Sequence, residues 1–412
     1  MTPKVRKKPI SLFVRNILIM LRGSVLAQIT TAIGGLYLAK LFGPENYGVY
    51  GSVISIASIV ALVFTLQLDK AIVLSKGISS KKNWISFLLP FVLIVSSLLA
   101  SYFFFLEVSI HNFSYEFIFF SIIISCLLAI YIIYEALLTS NKNFKVLGNA
   151  KIVVSICIVL FQFIFFKSDI SNGLIIGFLL AQVVIVLCFI FSNLKFLGKL
   201  SFSILKNGLN QHKDILYFLF PSNIINGIGV HIMPILILAF FDAKIAAVYF
   251  LSLKLLSMPL HLMTSSIGNV FFERASNTES KQSLYITTKK VVIVNLSIMF
   301  IFLIFINTIG VLLLNYFFDE KWEHLSVFLL ILSFLFLARA SFNPISSLII
   351  VKKKNHIGLI FNIYLVFVNL MAIWLGYKNN NILYTLYILS FFGGVGYFAL
   401  LYYFGKILKN DA

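Results

Sequence analysis

Negative charge is what this sequence has least of. Its 412 residues hold 14 Asp and Glu against 33 Lys and Arg, and charged residues make up only 11% of the chain, where soluble domains average about 25%. A protein so poor in charge and so apolar, with a hydrophobic fraction of 60% and 44 Phe, cannot cover itself with a polar surface, which excludes an ordinary water-soluble fold. The three cysteines, Cys126, Cys157 and Cys188, each lie inside an apolar run with no Cys-x-x-Cys pairing and no neighbouring His. That excludes a zinc site and leaves them as small apolar side chains. There is no Gly-rich phosphate loop followed by Lys-Ser/Thr, no nucleophile elbow and no carboxylate pair, so this chain alone is not expected to hydrolyse ATP, to act as an enzyme or to need a metal or a cofactor. The basic start, MTPKVRKKPISLFVR, is followed by a long apolar stretch without a small-residue cleavage motif, so the first span is expected to stay in the protein.

Long apolar runs are what the sequence has in quantity. A bilayer core about 30 Å thick is crossed by ~20 mainly apolar residues in a helix. Twelve such runs occur, at 16–39, 47–67, 84–106, 117–138, 146–166, 172–193, 215–240, 245–267, 291–315, 325–350, 357–376 and 382–405. The expected fold is therefore an all-α integral membrane protein of about 12 transmembrane helices. The longest connection, Leu194 to Asp214, reads as a linker and divides the chain into an N-terminal six-helix bundle over 1–193 and a C-terminal one over 215–412. An offset of 199 residues lays Leu38–Ser52 over Ile237–Leu251, matching Phe42 with Phe241, Val49 with Val248 and Tyr50 with Tyr249, as in a parallel repeat about an axis along the membrane normal.

The Lys and Arg sit in the short connectors rather than along one face or helix, which argues against a nucleic-acid partner. If both termini are cytoplasmic, 25 of the 33 lie on the cytoplasmic side, counting Lys151 at the inner end of span five, and five (Lys40, Lys167, Lys244, Lys321 and Lys378) on the other, as the positive-inside rule requires. The remaining three, Arg22, Lys254 and Arg339, fall within spans. A cation at the bilayer centre costs about 2.5–3.5 kcal/mol, so each should face the bundle interior or an aqueous cavity. Three cations with little acid to balance them suit an anionic guest such as phosphate or diphosphate, to which Arg makes paired hydrogen bonds and Lys presents a point charge.

Glu135, near the end of span four, is a candidate for carrying a coupling proton or Na⁺. Its alternative is an ion pair with a nearby Lys or Arg. Asp69, beside Lys70 at the end of span two, is a second candidate and reads more simply as a solvated boundary pair. Gln28 in span one, Gln67 in span two, and Asn223 and Asn226 in span seven could hydrogen-bond sugar hydroxyls or bind helices to one another. Tyr37, Tyr47 and Tyr50 read as members of an interfacial aromatic belt. His231 and His261 read as satisfied core histidines, and Pro234 and Pro259 as kinks in spans seven and eight.

The segment from Tyr37 to Lys76, with its Gly43-Pro44-Glu45-x-Tyr47-Gly48-x-Tyr50 turn and its Gln67-Leu68-Asp69-Lys70-Ala71 stretch, resembles the start of the polysaccharide biosynthesis proteins. These are the O-antigen or Wzx-type flippases of the multidrug/oligosaccharidyl-lipid/polysaccharide (MOP) exporter superfamily. The resemblance implies a MATE-like, V-shaped pair of bundles in the bacterial cytoplasmic (inner) membrane. It implies alternating access that carries an undecaprenyl-diphosphate-linked oligosaccharide to the outer leaflet, coupled to H⁺ or Na⁺. A glycan polymerase and a chain-length regulator are the protein partners it suggests. It also implies a cationic central cavity, with Arg22 where relatives carry such a charge and Lys254 and Arg339 matching as intramembrane bases. Two competitors are a drug/cation antiporter, which calls for acidic residues in its cavity, and a membrane-embedded glycan polymerase or ligase, which calls for a large outward loop.

Overall fold

The computed structural model describes residues 12–75, 77–107, 109, 113–168, 170, 172–193, 198, 201–277 and 281–411. In hydrocarbon a backbone N–H or C=O finds no water, so apolar runs of this length satisfy their polar groups internally as helices. Fifteen α-helices form and there is no strand among the described residues: α1 Leu12–Thr65, α2 Asp69–Leu74, α3 Ile78–Phe105, α4 Tyr115–Ser140, α5 Phe144–Lys167, α6 Gly173–Ser192, α7 Phe202–Gln211, α8 Phe220–Phe240, α9 Ala243–Asn277, α10 Lys281–Phe305, α11 Val311–Phe317, α12 Leu325–Phe342, α13 Leu348–Val351, α14 Asn355–Lys378 and α15 Ile382–Asp411. Eleven helical segments among the described residues are long and apolar enough to cross a membrane.

The count is eleven rather than twelve because α1 runs through the first two spans. They meet at Gly43, whose φ of 77° and ψ of 169° break the helix just before Pro44. A Cβ there would touch nothing within 4 Å, so glycine is needed for its left-handed backbone and not for space. Hydroxyls inside the spans are returned to the helix backbone, as when Ser55 Oγ donates to Gly51 O at 2.8 Å and Ser121 Oγ to Phe117 O at 2.8 Å. That hides a polar atom where no water can reach it.

Residues 194–197, 199 and 200 of the expected linker lie outside the described residues, and its later part is α7. It is tied to the start of α3 by a reciprocal pair: Asn83 Nδ2 donates to Ser201 O at 2.8 Å, and Ser201 N–H donates to Asn83 Oδ1 at 2.8 Å.

One apolar core lies among α1 to α7 and is built around Phe64, Trp84, Leu88 and Tyr134. A second joins Tyr47 and Val53 of α1 to Leu251 of α9, Phe328 of α12 and Phe404 of α15. The second half of α1 packs on α8 and α9, with its glycines turned toward them. Gly48 faces the Ala243 carbonyl so closely that a Cβ would be 2.9 Å from the carbonyl carbon, and Gly51 faces the Phe250 ring. Small residues of this kind let helices approach within the membrane. Ser52 Oγ closes the same contact by donating to Pro234 O at 3.0 Å. Toward the end of the bundle that carries most of the Lys and Arg, Asn223 Nδ2 donates to Gln67 Oε1 at 2.9 Å. Gln67 is held there by a turn in which Leu66 and Gln67 both take positive φ, 49° and 56°.

Candidate functional site

Between these two contacts lies a cavity of about 400 Å³ walled by α1, α5, α6, α8, α9, α12 and α15. Lys254 of α9 and Arg339 of α12 both face it. Lys254 reaches across to α1, where its ammonium lies against Gly35. A side chain at 35 would take the ammonium's place. Its Nζ donates to Tyr47 Oη at 3.4 Å. The Arg339 guanidinium carbon lies 5.2 Å from the centre of the Phe336 ring and 5.9 Å from that of Tyr397, and its Nε is buried without a hydrogen-bond partner among the described residues.

Neither cation belongs to any of the four ion pairs found among the described residues. Among the described residues no Asp or Glu lines the cavity. An aromatic face offsets roughly 0.5–2 kcal/mol of a buried cation's cost, less than the roughly 2.5–3.5 kcal/mol of placing it in hydrocarbon. The shortfall is one that an anion entering the cavity would make up. His231 of α8 and His261 of α9 face the same space, so they are cavity groups and not the core histidines that the sequence suggested. Tyr47 and Tyr50 also turn inward. At 1% and 7% exposure they do not belong to the interfacial belt, unlike Tyr37 at 46%.

The other residues singled out in the sequence lie elsewhere. Arg22 is exposed and does not line the cavity. The α1 residues that do include Thr31, Gly35 and Leu38, and nine residues before Thr31 is about two and a half helical turns, which points Arg22 to the opposite face. Asn223 is taken up by Gln67, Asn226 is exposed, and Gln28 lines a neighbouring cavity of about 300 Å³. Glu135 is paired with Lys151 at 3.2 Å. Asp69 is 1% exposed rather than solvated; one oxygen accepts from Lys70 Nζ at 2.7 Å, and the other, Oδ1, is buried without a partner among the described residues. Among the described residues no three of His, Cys, Asp and Glu are grouped so as to hold a metal ion.

The site thus draws on residues from both ends of the chain. Lys254 and Arg339 carried a sequence signal, as charges inside apolar runs. Tyr47, Tyr50, His231 and His261 carried none that separates a cavity wall from a core or a belt, because that depends on which helix lies opposite.

The fold is similar to that of an inward-facing multidrug resistance MATE family transporter of the MOP superfamily, with TM-score 0.69, 14% identity and coverage of 95% of this chain and 98% of the other. It is similar to the lipid II flippase MurJ in an inward closed conformation, with TM-score 0.72, 18% identity and coverage of 95% and 87%. A third similar structure is a MOP superfamily transporter from Pyrococcus furiosus Vc1 (DSM3638), described by a binding pocket of reverse polarity that suggests a different function. It gives TM-score 0.55, 14% identity and coverage of 97% and 95%. No curated protein matches this chain in sequence. Residues 37–327 match the polysaccharide biosynthesis protein family. With most of its length inside that match, and with two half-buried cations held outside any ion pair among the described residues, this multi-pass membrane protein belongs to the polysaccharide biosynthesis protein family.

Proposed function

We propose that this protein is a lipid-linked oligosaccharide flippase. Its cargo is an undecaprenyl-diphosphate-linked glycan repeat unit for O-antigen, capsule or another exopolysaccharide, moved from the inner to the outer leaflet of a bacterial cytoplasmic membrane with both termini in the cytoplasm. The observation that carries this reading is the cavity with Lys254 and Arg339 and, among the described residues, no carboxylate in its lining. A diphosphate diester brings about two negative charges, which two fixed cations neutralise. Arg339 offers a planar fork of donors and Lys254 a point charge, the pairing that suits phosphate oxygens. A cationic drug entering the same space would meet two like charges, which argues against the antiporter reading. Alternating access would come from movement of the N-terminal bundle, 1–193, against the C-terminal bundle, 215–412, about the contacts of Gly48 and Gly51 with α9. Glu135 and Asp69 are the acidic groups available to a coupling H⁺ or Na⁺.

The experiment is complementation of a flippase-null strain making a defined glycan, with Lys254→Ala and Arg339→Ala scored by surface glycan and by protein abundance in the membrane. Loss of glycan in both variants at unchanged abundance supports the reading. Full rescue by both rejects this site.

A further inference from the structure

A second cavity adjoins the central one at Thr31. Thr31 and Ile158 also line the neighbouring cavity, which reaches into the N-terminal half among α1, α4, α5 and α6. Gln28, Thr31 and Gly35 follow one another at three- and four-residue spacing along one face of α1, so the two cavities share a single stripe of that helix.

Their chemistry differs in charge. In the central cavity the charged groups are donors: the Arg339 guanidinium, whose Nε has no partner among the described residues, and the Lys254 ammonium, which donates to Tyr47 Oη at 3.4 Å. In the second, the lining polar groups are mostly neutral amides and hydroxyls, Gln28, Gln182, Ser24, Ser155, Thr31 and Tyr131. Gln182, 4% exposed, and Gln28 each bury an Oε1 atom with no partner among the described residues. Ser155 spends its proton on Ile152 O at 2.8 Å, and Thr31 spends its own on Ala27 O, so both present only lone pairs to the space. The one cation among the described residues that line it, Lys151, is held by Glu135 at 3.2 Å, so that lining carries no net charge.

Neutral amides and hydroxyls offer donors and acceptors together, and the guest they suit carries hydroxyl or amide groups and no charge. We infer that this second cavity is the sugar subsite. With the diphosphate at Lys254 and Arg339, a neutral sugar ring rich in hydroxyl or acetamido donors seats among Gln28, Ser155 and Gln182. A volume of about 300 Å³ stands at the lower end for small-molecule sites and has room for a single ring. The inference rests on the diphosphate reading of the central cavity and adds to it the residues that distinguish one lipid-linked glycan from another.

The test uses the full chain purified in detergent and two probes: a polyprenyl diphosphate bearing one N-acetylglucosamine, and the same polyprenyl diphosphate without sugar. Gln182→Leu should weaken binding of the sugar-bearing probe about tenfold, the upper range for a neutral hydrogen bond, and leave the bare probe unchanged. Ser155→Ala should act in the same direction to a smaller extent and guards against a folding defect in the first variant. Lys254→Met should weaken both probes. Wild-type protein that binds the two probes equally, or a Gln182→Leu variant that loses both to the same degree, overturns the subsite and assigns the cavity to water or to structure. Wild-type protein that binds neither overturns the diphosphate reading beneath it.

Discussion

Replacing Lys254 by Met separates a functional cation from a structural one, because the two roles move stability in opposite directions. Met keeps most of the length and apolar volume of the side chain and removes the charge. The charge costs about 2.5–3.5 kcal/mol at membrane depth. It recovers only part of this from its contact with Tyr47, a hydrogen bond at 3.4 Å and a ring centre 6.0 Å away, together about 1–2 kcal/mol. Lys254→Met should therefore stabilise the empty protein by about 1–2 kcal/mol, seen as a thermal midpoint a few degrees higher in detergent. The same change deletes a charge-assisted hydrogen bond to the diphosphate, about 1.5–3 kcal/mol or roughly 10- to 150-fold in affinity. Binding of a polyprenyl diphosphate and thermal unfolding, measured on one preparation, should thus diverge. A variant that melts lower than wild type and binds as well would refute the reasoning and make Lys254 a structural residue.

Arg22→Ala should leave polyprenyl diphosphate affinity unchanged, because Arg22 points away from the cavity; a loss comparable to that of Lys254→Met would show that the head group reaches α1's opposite face. Gly35→Ala should fold normally and weaken the same ligand severalfold, since the new methyl displaces only the flexible end of Lys254; equal affinity in an equilibrium titration would show that the ammonium's position is immaterial. Gly48→Ala meets the backbone of Ala243, which cannot move aside cheaply, so it should part α1 from α9 and increase thiol labelling of a Cys placed at Ser52 in a background lacking Cys126, Cys157 and Cys188. Unchanged labelling would show that the packing of α1 on α9 does not depend on a glycine at 48. Gly43→Ala forces a side chain into left-handed backbone and should cost about 1–2 kcal/mol, measured as a lower thermal midpoint at unaltered ligand affinity.

The family, the fold class and the twelve spans were legible from residue order alone. Burying an apolar segment in lipid and keeping Lys and Arg in the connectors are local requirements, met segment by segment. The Gly43-Pro44 turn was legible for the same reason, since its backbone angles depend on little beyond the residues themselves. Lys254 and Arg339 could be singled out because a charge inside an apolar run is an exception whatever surrounds it. What surrounds them was decided by the tertiary structure. A helix shows a new azimuth every 100°, and which of its faces meets a cavity depends on helices hundreds of residues away. So Arg22, also a charge in an apolar run, faces away, while Tyr47 and Tyr50, which by position belong to a lipid interface, line the cavity. Asn223 and Gln67, separated by 156 residues, spend their amides on each other. The orphan acceptors of Gln28 and Gln182 exist only because α1 and α6 bring them to one space, a relation between elements that no single stretch of sequence contains.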